Sequence, residues 1–277
     1  MKKTILITGS SSGFGKAATL KFATNGWNVV ATMRTPEKET AFTGFENVLV
    51  VKLDVQDNDS IQSAIQAGID RFGKIDTLLN NAGYGALGNF EAATSEQIRR
   101  QFDVNVFGMM DVTRAILPHF RKNKSGTIIN ISSMGGRITF PLMSLYHASK
   151  FAVEGFTESL AYELAALNIT VKLVEPGVAN TNFGGPSADF IQNPALTDYN
   201  DFIQAFWQHF ATLNSQPNSA EDITEVIYTA ATDNSQQLRY IAGEDAKALM
   251  EIRNGKNDQE YIEWMKHTFV PAKTNPS

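Results

Sequence analysis

A tyrosine and a lysine stand four residues apart at Tyr146 and Lys150, in the stretch YHASK that leads into a long amphipathic segment. Residues at i and i+4 share one helix face, so the ammonium can lie near the phenol oxygen. A free phenol has a pKa near 10, too high for efficient proton exchange at neutrality, and a neighbouring cation favours the phenolate. The pair therefore fits a general acid/base that protonates a carbonyl oxygen or takes a proton from an alcohol. Ser133, at the end of the preceding strand-like run, carries a hydroxyl able to hold the same oxygen. A solvated surface pair is the plain alternative for an isolated Tyr-x-x-x-Lys, and Ser132 with Ser133 can simply close a strand. His147 has no partner in the pattern and is expected to be structural or adjacent to substrate.

The elements that must position these residues alternate from the N-terminus onward. Strands are expected at Thr4–Thr8, Asn28–Met33, Val48–Leu53, Thr77–Asn80, Gly126–Ile131 and Thr170–Glu175, with a short last one near Arg239–Ala242. They read as nearly continuous apolar runs, as strands covered on both faces do. Helical patterns fall at Lys16–Asn25, Ser60–Phe72, Ser95–Arg121 (two helices) and Ala148–Leu167. Strand–helix alternation implies right-handed crossovers and a doubly wound parallel α/β sheet of about seven strands. No repeat or linker divides residues 1–277, so one domain is expected, with a substrate-lid insertion at about 178–217 and a C-terminal extension at about 245–277. About forty residues after Pro176-Gly177 follow no strand–helix rhythm, and long excursions of that kind are usually functional. Pro271–Ser277 reads as a tail.

In an open α/β sheet, ligands bind outside the carboxyl ends of the strands. Here the first strand ends in Thr8-Gly9-Ser10-Ser11-Ser12-Gly13-Phe14-Gly15, a loop whose glycines allow a sharp turn and close approach to a pyrophosphate at the next helix N-terminus. The spacing Gly-x3-Gly-x-Gly departs from the usual dinucleotide fingerprint, and a Gly/Ser-rich loop is often only a turn. Gly9, Ser11, Gly13, Phe14 and Gly15 are the candidates to cradle the phosphates. The second strand ends in Met33-Arg34, where a site specific for NAD would carry an acid for the ribose 2′-hydroxyl. An arginine can instead pair with a 2′-phosphate, or simply be a solvated loop residue. Asp54 and Val55 follow the third strand, where they would border an adenine, and Asn81, Ala82 and Gly83 follow the fourth, where they would line the adenosine side of the cleft. Ser133 follows the fifth and Pro176-Gly177 the sixth. A whole row of such endings on one sheet edge marks a site.

The loop Thr8–Gly15, Asn80–Gly83, Asn105 in DVNVFG, Ser133 in NISSMGG, the Tyr146/Lys150 pair and Pro176-Gly177 resemble, in order and spacing, the short-chain dehydrogenase/reductase superfamily over residues 3 to 245. NNAGYGALGNFE and RYIAGEDAKAL look most like the branch of 17β-hydroxysteroid- and retinol-type dehydrogenases. The resemblance implies a Rossmann-type sheet, an NADP(H) cofactor and a catalytic set of Asn105, Ser133, Tyr146 and Lys150. It makes Asn105 the anchor of a water-linked proton path through Lys150, and gives Lys150 a second role on the nicotinamide ribose, beside Tyr146. Pro176, Gly177, Val178 and Thr181 fall at family positions near the nicotinamide.

Composition excludes other classes. With 43% hydrophobic and 19% charged residues and a net charge of -5, nothing basic is clustered to track nucleic acid. The absence of Cys excludes thiolate chemistry and disulfides, and no metal set is expected. The apolar run after Lys3 stops at Ile7, too short for a signal-peptide core, and no stretch reaches the roughly 18 apolar residues of a membrane span, so a cytoplasmic protein is expected. Phe183, Phe190, Tyr199, Phe202, Phe206, Trp207 and Phe210, with Phe140, Leu142, Met143 and Leu145, either line a pocket for a lipophilic carbonyl compound or pin a helix to the core. A non-catalytic dinucleotide sensor and a dehydratase or epimerase are the rival functions on this scaffold. Substrate identity, direction and oligomeric state stay open, although the family often assembles through helices at the positions of Val104–Lys122 and Phe151–Leu167.

Overall fold

The computed structural model describes residues 2–180, 188–213 and 216–270. Seven parallel strands form one sheet: β1 (Thr4–Ile7), β2 (Asn28–Met33), β3 (Val48–Lys52), β4 (Thr77–Asn80), β6 (Gly126–Ile131), β7 (Ile169–Pro176) and β9 (Arg239–Ala242). Their order is β3-β2-β1-β4-β6-β7-β9, with the reversal of winding between β1 and β4. Alternate residues feed opposite cores, as the pleat requires. Ile5, Ile7, Val29 and Ala31 enter the core under α1 (Gly13–Thr24) and α7 (Ala220–Thr232). Leu6 and Val30 enter the other, under α2 (Asn58–Phe72), α4 (Met109–Asn123) and α5 (Ser144–Ala165). Both faces are covered, which is why the strands read as unbroken apolar runs.

Helix starts follow local chemistry. The Asp57 carboxylate caps α2 by accepting from the Asp59 and Ser60 amides, and Gly73 (φ 81°) ends it. The long third helical pattern divides as expected, into α3 (Ser95–Phe102) and α4, joined by a π-helical turn at Asp103–Gly108. α5 begins four residues before the expected Ala148: the chain turns at Leu142 (φ 60°) and is helical from Ser144, so Tyr146 lies in the first turn. Apolar periodicity hides that turn because Ser144, Tyr146 and His147 break the stripe.

The expected gap after the sixth strand is not irregular throughout. β8 (Ala188–Ile191) pairs in parallel with the unexpected short strand β5 (Gly85–Gly88), and α6 (Asn200–Leu213) follows. A third core gathers α6, α8 (Glu244–Asn254) and α9 (Asp258–Phe269) against Phe140, Met143 and Tyr146.

Candidate active site

A cavity of about 840 Å³ runs along the carboxyl ends of the strands, from Arg34 beyond β2 to Gly177 beyond β7. Gly9, Ser11, Gly13 and Phe14 line it at the first strand; Asp54 and Val55 at the third; Asn81, Ala82 and Gly83 at the fourth. Ser133, Tyr146 and Lys150 face the same space, with Pro176, Gly177 and Val178 opposite. Thr181 lies outside the described residues, as does Phe183.

The glycine loop is locked by its neighbour strand. Thr8 Oγ1 accepts from the Asn81 and Ala82 amides, both at 3.0 Å, and Asn81 Nδ2 donates to the Thr8 and Gly9 carbonyls at 2.9 and 3.1 Å. Gly9 has φ 71°, and a Cβ there would stand 3.0 Å from Ala82 Cα, so only glycine fits. That bare backbone at the start of α1 is what a dinucleotide pyrophosphate needs. Gly15 departs from expectation: it does not line the cavity. A Cβ on it would fall 2.2 Å from the Gly9 carbonyl oxygen, so Gly15 lets α1 press against the loop and touches no ligand space. Arg34 is exposed on the cavity rim.

At the other end, Tyr146 is 9% exposed and hydrogen-bonds Ser133. Ser133 Oγ accepts from the Gly135 amide at 3.0 Å and reaches the Pro176 carbonyl at 3.5 Å. Lys150 Nζ donates to the Ile131 carbonyl at 2.8 Å and sits 5.9 Å from the Tyr146 ring centre. The expected lowering of the phenol pKa does not appear. Burial pushes Tyr146 up to about 12 and outweighs the opposing hydrogen bond from Ser133. Burial also brings Lys150 down to about 8, with the Glu154 carboxylate pulling it back up. His147 is structural: Nε2 accepts from the Phe140 amide at 2.8 Å while Nδ1 donates to the Gly135 carbonyl at 2.7 Å. Both nitrogens are committed, and burial holds the ring neutral with its pKa at about 4.

Asn105 does not line the cavity either. It is buried in the π-helical turn, where Nδ2 donates to the Tyr84 carbonyl (2.9 Å) and Ser149 Oγ (3.2 Å) and Oδ1 accepts from the Tyr84 amide (3.0 Å). Its side chain fixes the segment leaving β4 against α5. Val178 lines the cavity with both of its backbone polar groups already hydrogen-bonded. Its amide donates to Asp245 Oδ2 at 2.7 Å, and its carbonyl accepts from Asn218 Nδ2 at 2.8 Å and from the Asn218 amide at 3.0 Å.

Asp245 and Asn218 are site-shaping residues that sequence reasoning passed over, although Asp245 stands in the RYIAGEDAKAL stretch. The aromatic candidates divide. Phe140, Met143, Phe190, Trp207 and Phe210 line the cavity, whereas Phe206 is fully buried beneath it. Leu142, Leu145, Tyr199 and Phe202 do not line it, and Tyr199 OH donates to Glu91 instead.

The model of the family described as short chain dehydrogenase matches residues 3–191. An uncharacterized oxidoreductase of Schizosaccharomyces pombe is 38% identical over 83% of this chain and 96% of its own. A 3-ketodihydrosphingosine reductase of Bacteroides thetaiotaomicron is 44% identical over 65% of each chain. A short-chain dehydrogenase from Streptomyces avermitilis superposes with TM-score 0.82 at 34% identity, covering 96% of this chain and 97% of that one. Two structures at 28% identity hold dinucleotides: ElxO with NADP (TM-score 0.72; 87% of this chain, 98% of that one) and a 3-ketoacyl-(acyl-carrier-protein) reductase from Brucella melitensis with NADH (0.73; 88% and 98%). The fold and the cavity define a nicotinamide-dinucleotide oxidoreductase. The chain belongs to the short-chain dehydrogenase family. Among the described residues, no helix is long and apolar enough to cross a membrane.

Proposed function

We propose that the protein is an NADP(H)-dependent oxidoreductase that interconverts an alcohol and a lipophilic ketone or aldehyde, with Tyr146 as general acid/base. One observation carries this reading: the Tyr146 phenol, joined to Ser133, shares a single cavity with Lys150 and with the glycine loop Gly9–Phe14. A bound dinucleotide supplies or accepts the hydride. Everything else falls to the chain.

The phenol is protonated at neutrality, the state from which a proton can pass to a carbonyl oxygen, and its burial-raised pKa must be opposed by a neighbouring cation for that transfer to be efficient. Ser133 Oγ, held by the Gly135 amide, orients that oxygen. As the phenol gives up its proton, the Lys150 ammonium stabilises the phenolate, and the low dielectric strengthens that attraction. In the alcohol direction the same residues run in reverse. Arg34 on the rim suits a 2′-phosphate, and Met33 places no carboxylate there to favour a free ribose hydroxyl. Of the expected lid at about 178–217, the described helix α6 contributes Trp207 and Phe210 to an apolar substrate wall that Phe140 and Met143 complete. The resemblance to a 3-ketodihydrosphingosine reductase supports placing long-chain ketones in the substrate panel.

The test is NADPH consumption, followed by absorbance, over a homologous series of ketones and aldehydes alongside sugars and short polar carbonyls. Each buried methylene contributes about 0.8 kcal/mol, so kcat/KM is expected to climb with chain length until the chamber is full. Tyr146→Phe is expected to lower turnover by ~10²–10⁴-fold while NADPH still binds. Near-normal turnover in that variant would end the mechanism. A flat series, or preference for polyhydroxylated substrates, would remove the lipophilic assignment, and tight NADPH binding with no turnover on any carbonyl would leave a dinucleotide sensor.

A further inference from the structure

The turn that closes the cavity beyond β7 is gripped by two side chains from elements far along the chain. Asp245, in the first turn of α8, accepts the Val178 amide on Oδ2 (2.7 Å) and Asn218 Nδ2 on Oδ1 (2.8 Å). Asn218, just before α7, donates in turn to the Val178 carbonyl at 2.8 Å through the same amide group. Its backbone continues the grip, accepting the Asn180 amide at 2.8 Å in an isolated parallel bridge with Ala179. Gly177 completes it: a Cβ there would stand 2.2 Å from Asp245 Oδ1, so glycine is required to let the carboxylate reach the turn.

We infer that Asp245 and Asn218 form a clamp that sets the path of Gly177–Asn180 for dinucleotide binding, with Asp245 as the positioning residue; this rests on the dinucleotide site proposed above. The chemistry explains the residue types. A carboxylate accepts on both oxygens, so one side chain serves a backbone N–H and an amide N–H from different elements. α8 does not float, because Ala246 and Met250 are buried beside Phe206 and Phe140. The clamp thus fastens the turn to the same packing that backs the substrate chamber. An unclamped turn would have to be ordered by the dinucleotide itself, and affinity would fall accordingly.

NADPH binding, titrated by fluorescence without substrate, tests this in D245A, D245N and G177A, each with its Tm. Loss of a hydrogen bond to a charged group predicts at least about a tenfold weaker Kd in D245A. D245N is expected to weaken NADPH as well, because an amide accepts on one oxygen only, and flipping Asn218 to accept from the new NH₂ would turn its oxygen on the Val178 carbonyl. G177A is expected to weaken NADPH strongly in the wild-type background and far less in D245A, where the clash is gone. Should D245A fail to fold, G177A and D245N still decide the matter. Lower Tm with unchanged Kd in the variants would make the cluster merely structural and overturn the clamp, as would independent, additive losses in the G177A/D245A pair. Wild-type protein that binds neither NADPH nor NADH would overturn the functional reading and the clamp together, an outcome distinct from failure of the clamp alone.

Discussion

At the dinucleotide end of the cavity, Gly9, Gly15 and Asn81 meet through backbone atoms and one amide, within a span of about 3 Å. At the substrate end, Trp207 and Phe210 reach the cavity from a helix held by ring contacts of Phe210 with Phe140 and of Phe206 with Phe269. The first end is made by a positive-φ turn at Gly9 and a backbone approach at Gly15 that leaves no room for a Cβ, so its residue types cannot vary without consequence. The second is made by ring-on-ring packing between segments some sixty residues apart, where many apolar residues of similar volume would serve. A rigid end suits a constant cofactor, and a packed end leaves room for a substrate to be chosen.

Two neighbours on α6 sharpen that contrast with the largest expected effect. Phe206→Ala removes a fully buried ring and should cost about 3–5 kcal/mol of stability, read as a lower denaturant midpoint, with little change in substrate preference. Phe210→Ala opens the cavity wall and should instead change kcat/KM along the ketone series. If both variants changed stability alone, the substrate end would be core, and the contrast would collapse. A smaller effect belongs to the dinucleotide end. Arg34→Ala should weaken NADPH by roughly 10- to 150-fold, the cost of a charge-assisted hydrogen bond, and leave NADH nearly unchanged. Equal weakening of both, or equal wild-type affinity for both, would remove Arg34 from cofactor choice.

The same contrast explains what could be read in the chain before its fold was known. All seven strands of the main sheet were legible to within a residue or two, because burial on both faces writes an unbroken apolar run. The same runs locate the carboxyl ends of the strands, and nearly all of the residues expected there line the cavity. Gly15 and Asn105 carry the pattern but not the contact: each sits one layer behind the site, and spacing cannot tell layers apart. The rise of the phenol pKa was not legible, because the burial that causes it comes from the whole fold and not from neighbours in sequence. β5, β8 and the Asp245–Asn218 grip were invisible, since each needs a partner tens of residues away.

β5 and β8 pair Gly85 with Ala188 and Gly88 with Ile191, joining four-residue strands about a hundred residues apart. Nothing local favours that union: a two-stranded ribbon is marginal alone, and closing so long a loop costs entropy before any contact repays it. It can form only after the main sheet has drawn the ends of β4 and β7 together, so chain order and folding order diverge. The nucleotide-facing half should acquire protection first, and the ribbon over the chamber last. In native-state hydrogen exchange, the amide of Leu87 should therefore open well before those of Ile5 to Ile7, and equal protection of the two would show that the molecule closes in one step.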